Sequence, residues 1–499
     1  MKITLESPVN KYYVQTLAMI FFPGEHFGKK AEETENDNEP ELYVRSEERD
    51  GGVHSYAKIV HNEKTCDAEY FAEKTDTRTA ERTLKLSVGG AVLAALGDLM
   101  GYRPAWGMMI GVRPSKVASE MLNAGISKTR VKKILNSDYL VIPKKAALAT
   151  DIAVTEKRIV GEGSTKDCSV YISIPFCPSR CMYCSFVSYT SKRLLDLIPS
   201  YLERLKKDIK ANFETIDRLG LRVRTVYIGG GTPTILSPAQ MKDLLSFVAS
   251  LTDVTKLDEY TMEAGRPDTI TEEKLSIARE YGVTRVSVNP QSLSDDVLYS
   301  IGRNHTAEEF FRAFSEARHA KIKTVNVDLI AGLPGDNFKR FSSTMDKVLE
   351  LAPENITVHT FCVKKSAEIL RQNADVYSVR GGDAGKCVDY SQIKAHQAGY
   401  IPYYMYRQKN TVGNYENVGF ALHGHEGLYN IYMMEEIHSI FSAGAGAVTK
   451  LVDNTGSHLE KRTIERLFHQ KYPYEYLEED RSIEFSLAAE AFYKEHGML

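Results

Sequence analysis

Cys177, Cys181 and Cys184 fall within eight residues, in Ile-Pro-Phe-Cys-Pro-Ser-Arg-Cys-Met-Tyr-Cys. Three thiolates on one short loop can hold three corners of a cubane iron–sulfur cluster, for which thiolate is the usual protein ligand. A closed cluster needs a fourth cysteine, and none follows close by. One iron would stay open, and an open metal position signals chemistry rather than structure. Cysteine also serves as a small buried hydrophobe, but that does not explain the clustering. Structural zinc, with Cys168 or a distant His as fourth ligand, is the stronger competitor. Zinc sites favour paired Cys-x2-Cys units, however, and only one is present. An odd total of seven cysteines and no visible export signal speak against disulfides.

The elements that must position this loop follow a strand–helix rhythm from Asp167 onward. Strands are read at 169–174, 224–229, 259–264, 285–289, 324–330 and 356–361. Amphipathic helices separate them, at 198–219, 238–251, 271–281, 307–320 and 338–351. The first shows Ile198, Leu202, Leu205, Ile209, Phe213 and Ile216 at three- and four-residue steps, with Pro199 suited to its first turn. Six strands with intervening helices predict an α/β fold with a partial, parallel (β/α)6 barrel. Barrels of this kind carry their active sites at the C-terminal strand ends, and the cysteine loop follows the first strand.

Other candidates map to the same end. Gly229-Gly230-Gly231-Thr232 closes the second strand, where glycines let backbone approach a ligand or turn tightly. Glu263 ends the third strand, Gln291 follows the fourth, Arg303 lies in Ile-Gly-Arg-Asn-His beyond it, and Asp328 sits in the fifth. Each alone reads equally as a solvated or barrel-lining polar group. Together they form a set of carboxylates, an amide and a guanidinium fit for hydroxyls, an ammonium and a carboxylate.

Tyr171-Ile-Ser-Ile-Pro-Phe-Cys177, Gly229-Gly-Gly-Thr-Pro-Thr234 and Asp328-Leu-Ile-Ala-Gly-Leu-Pro334 resemble the radical S-adenosylmethionine (SAM) superfamily. Within it they resemble the oxygen-independent coproporphyrinogen III oxidase family, HemZ type, from about residue 165 onward. The resemblance implies a 4Fe–4S cluster on Cys177, Cys181 and Cys184, with SAM (one or two molecules) on the open iron. It implies SAM contacts from Tyr171, Tyr183, Gly230, Gly231, Thr232, Glu263, Gln291, Arg303 and Asp328. It further implies a one-electron donor such as flavodoxin or ferredoxin, and reductive cleavage of SAM to a 5′-deoxyadenosyl radical. Hydrogen abstraction from a propionate side chain of coproporphyrinogen III, with loss of carbon dioxide and one electron, would then form the vinyl groups of protoporphyrinogen IX. No catalytic side chain is read beyond the cluster and the SAM radical. Arg407 and Lys409, beside Tyr403–Tyr406, are the candidates for gripping the carboxylates of such a substrate.

Two positions depart from the decarboxylase pattern. Phe186 stands where it has a fourth, non-ligating cysteine, and Ser173 where it has His. Related proteins without that cysteine include haem chaperones and enzymes that open the haem ring. A haem-binding protein and another tetrapyrrole-modifying enzyme are therefore the alternative readings.

The chain of 499 residues balances 63 Lys and Arg against 66 Asp and Glu. A net charge of −3 gives no support for a general nucleic-acid or membrane-surface role. The first residues lack the apolar core of a signal peptide, and the longest apolar stretch, 88–100, is too short to span a bilayer. A cytoplasmic enzyme is expected. Residues 1–160 are expected to form an N-terminal α+β domain of unread role, with strands at 12–22 and 55–61, a loop over 29–48 and a helix over 79–99. Its Pro104–Lys116 stretch holds the only tryptophan and reads as a packing turn before a helix, with Arg113 and Lys116 as possible anion contacts. Residues 161–385 are expected to form the radical SAM core, and 386–499 a mostly helical, substrate-covering C-terminal domain.

Overall fold

The computed structural model describes residues 1–23, 39–76, 78–111, 113–161, 164–184, 188–362, 382–408, 411–456 and 462–499. Contacts divide the chain into two compact units. One comprises residues 1–154, 374–385 and 405–416, and the other the remainder.

The first unit begins with β1 (Lys2–Glu6), α1 (Lys11–Phe21), β2 (Glu41–Arg49), β3 (Gly52–His61) and β4 (Lys64–Glu73). The strands form one sheet in the order β1-β2-β3-β4, with β1 parallel to β2 and the others antiparallel. The strand expected over 12–22 is helix α1. Asn10 caps it through the Tyr12 N–H, and Val14, Leu17, Ala18 and Phe21 bury one face at helical spacing. The described part of the expected 29–48 loop is strand from Glu41 onward.

Helix α2 (Ala80–Met100) runs from a Thr79 cap to a left-handed Gly101. It is the one described helix long and apolar enough to cross a membrane, but 67% of its apolar window is buried inside the protein. Ser87 on α2 donates to the Val53 carbonyl at 2.8 Å, pinning the helix to β3. Helices α3 (Pro114–Asn123), α4 (Lys128–Ser137) and α5 (Pro143–Val160) follow. The Trp106 turn does lead into a helix, and its indole donates to buried Glu416 at 2.7 Å. The same carboxylate pairs with Lys145, and both side chains are fully buried.

The second unit is built on six strands, the first five each followed by a helix. These are β5 (Asp167–Ile174) with α6 (Lys192–Leu195) and α7 (Ile198–Arg218), β6 (Arg222–Gly230) with α8 (Pro238–Leu251), and β7 (Glu259–Glu263) with α9 (Glu272–Glu280). Then come β8 (Arg285–Ser287) with α10 (Asp295–Ser300) and α11 (Ala307–His319), β9 (Thr324–Ala331) with α12 (Phe338–Glu350), and β10 (Asn355–Thr360). All six strands pair in parallel and in sequence order, as a partial barrel demands. Capping boxes at Ser237–Gln240 and Thr306–Glu309 set the starts of α8 and α11.

The remaining elements are α13 (Ala384–Gln397), β11 (Ile401–Tyr406), β12 (Asn417–Ala421), α14 (Leu428–Glu435), β13 (Ser439–Ala443), β14 (Val448–Val452), β15 (Ile464–Phe468), α15 (Pro473–Glu478) and α16 (Ser482–Glu495). Helices outweigh strands here, yet the five strands extend the barrel sheet on both sides. Its full order is β11-β12-β10-β9-β8-β7-β6-β5-β13-β14-β15. Strand β13 runs parallel to β5, so the cysteine-bearing strand is interior to the sheet.

Candidate active site

Parallel barrel strands covered on both faces usually read as continuous apolar runs. Here they alternate. Val170, Ile172, Val226, Ile228, Met262, Val286, Val327, Leu329, Ile356 and Val358 point to the helices and are buried. The opposite parity carries Tyr171, Tyr227, Glu263, Asn326, Asp328 and His359, which keep partial exposure in the middle of an eleven-stranded sheet. The inner face therefore lines an accessible polar lumen. At its lower end, Arg285 pairs with Glu259 at 3.1 Å. Glu259 also accepts the N–H groups of Leu428 and Tyr429, while Asn355 donates to the His425 carbonyl. The 425–429 segment thus plugs the barrel at the N-terminal strand ends, opposite the cysteines.

The cysteine loop is tied down from both sides. The Gly231 N–H donates to the Ile174 carbonyl and the Thr232 N–H to the Phe176 carbonyl, each at 2.7 Å, and Thr232 Oγ1 lies 3.2 Å from Cys177 Sγ. The Met182 N–H donates to the Ile301 carbonyl at 3.0 Å. Gly230 has φ +107, and a Cβ at Gly231 would stand 2.6 Å from the Phe176 carbonyl oxygen. The glycine run is thus required for the loop to seat on β6. Burial pushes the Cys177 thiol up to about 11, and the Cys184 and Cys181 thiols add to the rise while Thr232 opposes it.

Among the described residues no three His, Cys, Asp or Glu side chains stand at metal-binding spacing. The three cysteines nonetheless share one loop at one end of the barrel and act on one another electrostatically. Three sulfur donors on one short loop suit an iron–sulfur cluster. Metal binding must displace the Cys177 thiol proton that burial retains.

The carboxylates face the lumen. Tyr227 donates to Glu263 at 2.6 Å, and the rings of Tyr171, Tyr227 and Tyr429 contact one another as a trio, with centroids at 5.9, 4.5 and 6.2 Å. Burial raises the Glu263 carboxyl to about 7; Asp328 adds to this, while Tyr227 and the Gly230 N–H oppose it. Burial also works against Asp328 ionising. Hydrogen bonding and charge from His359, then hydrogen bonds from Asn326 and Thr357, outweigh it and hold this carboxyl below the usual range. Asn289 and Asn326 donate to its two oxygens at 2.8 and 2.7 Å.

Gln291 adopts φ +67, bridges to Leu329, and leaves its buried Oε1 without a hydrogen-bond partner. An orphaned amide oxygen in a strained backbone position fits a ligand-binding role. Buried Arg303 spends Nε on the Tyr183 hydroxyl at 3.1 Å and Nη1 on the Gly265 and Asn289 carbonyls. Among the described residues no hydrogen bond engages its Nη2. Tyr171, Gly230, Gly231, Thr232, Glu263, Gln291, Arg303 and Asp328 therefore all sit around the lumen or the loop that caps it.

Other residues are placed differently. Arg407 is buried in the first unit, 5.7 Å over the Trp106 ring, with its Nη groups on the Met109 and Asn414 carbonyls. Burial lowers its pKa to about 10. This packing role gives no support to substrate recognition. Lys409 and Phe186 lie outside the described residues. Ser173 donates to the Ala445 carbonyl at 3.0 Å, a structural use. His359, Asn289 and Tyr429 were missed by motif reading. The apolar–polar alternation in each strand was the available signal for the first two, and none existed for Tyr429.

The chain is similar to known proteins along much of its length. Residues 171–348 match the radical SAM superfamily model. The chain is 37% identical over 390 residues to the oxygen-independent coproporphyrinogen-III oxidase-like protein HemZ of Bacillus subtilis, spanning 77% of each. It is 29% identical to the haem chaperone HemW of the same organism, over 61% of this chain and 77% of that one. The coproporphyrinogen III oxidase HemN of Escherichia coli, a radical SAM enzyme, superposes with a TM-score of 0.49 at 20% identity, covering 67% of this chain and 73% of the other. The cofactors that follow from the superfamily match are a 4Fe–4S cluster and SAM, and Cys177, Cys181 and Cys184 are the residues that would hold the cluster. The chain belongs to the HemZ-type, oxygen-independent coproporphyrinogen III oxidase-like family of radical SAM proteins.

Proposed function

We propose that this protein catalyses the oxidative decarboxylation of coproporphyrinogen III to protoporphyrinogen IX without oxygen, as a cytoplasmic step of haem biosynthesis. The observation that carries the reading is the lumen itself. A HemZ-like chain keeps two carboxylates, an orphaned amide and a guanidinium edge directly beneath the cysteine loop. The cluster, when bound and reduced by a flavodoxin- or ferredoxin-like donor, supplies the electron that cleaves SAM to a carbon radical. The side chains have simpler tasks. Glu263 and Asp328 would bind the hydroxyl and ammonium groups of SAM, Arg303 Nη2 its carboxylate, and Gln291 Oε1 a further donor. The ring faces of Tyr171 and Tyr227 would shield the reacting carbon from water.

Haem binding and transfer is the second reading. It is favoured by Ser173, which stands where the decarboxylase pattern has His and is spent on a backbone carbonyl. A third reading, modification of another tetrapyrrole, shares the same cofactors. The test is anaerobic incubation of reconstituted protein with SAM and reductant, offering coproporphyrinogen III and haem in parallel. Vinyl products support decarboxylation. Stoichiometric haem binding without turnover supports the second reading, and ring-opened or methylated tetrapyrrole the third.

A further inference from the structure

Arg266 follows β7 and is not among the SAM contacts read above. It is 3% exposed. One edge of its guanidinium is locked by Asp268, with Nε on Oδ1 at 3.0 Å and Nη2 on Oδ2 at 2.9 Å. This fork–fork geometry leaves Nη1 facing the cysteine loop. There it donates to Ser179 Oγ at 3.0 Å and to the Ser179 carbonyl at 3.3 Å, and stands 3.9 Å from Cys181 Sγ. The backbone of the same turn is fixed as well, because the Thr269 N–H and Oγ1 both donate to the Arg266 carbonyl.

We propose that Arg266 is a positioning residue for the cluster: it braces the turn between the first two cysteine ligands and raises the cluster's reduction potential by setting a positive charge against the Cys181 sulfur. The Cys181 thiol here stands for the thiolate of the loaded protein. Reduction adds one electron, from an external one-electron donor, to a site that already bears three thiolates. A nearby cation favours the more negative state, and hydrogen bonds to sulfur act in the same sense. The site is largely buried, so water screens the charge little. Asp268 opposes Arg266 from its far edge. The two charges must therefore move the potential in opposite directions. A purely structural brace would make the two substitutions act alike, because either breaks the same fork.

This inference rests on the cluster alone and not on which tetrapyrrole is bound. The test is a redox titration of the anaerobically reconstituted protein, followed by electron paramagnetic resonance, with iron and sulfide counted per chain. Arg266→Gln is expected to keep its iron and shift the midpoint to more negative potential. Asp268→Asn should shift it to more positive potential. Slow SAM cleavage by Arg266→Gln with a weak reductant should recover with a stronger one. If Arg266→Gln does not hold iron, Arg266→Lys decides: a loaded cluster with a midpoint near that of the parent protein supports the charge role, and loss of iron in both overturns it. Unchanged midpoints, or shifts of the same sign in both variants, also overturn it. A parent protein without a 4Fe–4S signature would instead sink the cluster assignment itself.

Discussion

Glu263 offers a sharp test of the lumen's electrostatics, because its environment works against its own charge. Burial and Asp328 raise its carboxyl from 4.5 to about 7, with Tyr227 and the Gly230 N–H only partly offsetting them. A carboxyl moved that far costs the folded state about 3 kcal/mol above pH 7. Partial access of lumen water trims this to roughly 2 kcal/mol. Below about pH 4 the group is protonated in both folded and unfolded chains, so ionisation contributes nothing. Between pH 4.5 and 7 the unfolded chain ionises while the folded one resists, and stability falls until the folded pKa is passed. Glutamine cannot ionise. E263Q should therefore be increasingly favoured over the parent as pH rises from 4.5 to 8, by about 2 kcal/mol in total. A constant offset of about 1 kcal/mol, from the amide meeting the Gly230 N–H, will sit beneath this change. The measurement is urea unfolding of the metal-free chain across that pH range, read as the difference between E263Q and parent. A difference that does not vary with pH would refute the reasoning.

Cys181→Ala should abolish iron loading while leaving far-ultraviolet circular dichroism unchanged, and full iron content in that variant would contradict the ligand assignment. Gly231→Ala places a Cβ against the Phe176 carbonyl and should unseat the loop, lowering iron retention after desalting. Lys145→Met should cost the first unit about 3–5 kcal/mol by leaving the Glu416 carboxylate buried without its cation. Adding Glu416→Leu should recover much of that loss, and unchanged thermal melts in both would show that the pair contributes nothing.

The barrel was legible in the sequence because its strands are short β-branched runs bounded by Gly, Pro and Asp. The expected strand at 324–330 and the observed Thr324–Ala331 differ by one residue, and the helix read at 238–251 is Pro238–Leu251 as it stands. Residues 12–22 misled because Tyr, Val, Ile and Phe favour strands, whereas the burial of Val14, Leu17 and Phe21 against neighbouring elements decided for helix. Strands β13 to β15 escaped notice because sheet extension by a distant segment leaves no local periodicity to read. Arg407 is hard to read for a related reason. An aromatic–basic stretch looks the same in sequence whether it grips a carboxylate or packs on a buried tryptophan, and Met109 and Trp106 lie nearly 300 residues away in the chain.

What links the two halves of the site is strand parity. A barrel whose inner positions were apolar would close on itself, and the cysteine loop would cap a dry core. Here Tyr227, Glu263, Asn326, Asp328 and His359 occupy those positions, and Thr261 and Ser287 leave buried hydroxyls without partners on the same face. Such groups cost stability unless a ligand satisfies them. Arg285, Glu259, Thr324 and Asn355, by contrast, are satisfied by one another or by the 425–429 plug. Thr261 stands level with Arg285, and Ser287 with Glu263 and Asn326, so the unsatisfied hydroxyls are set among satisfied polar groups, where a ligand entering the lumen would meet both.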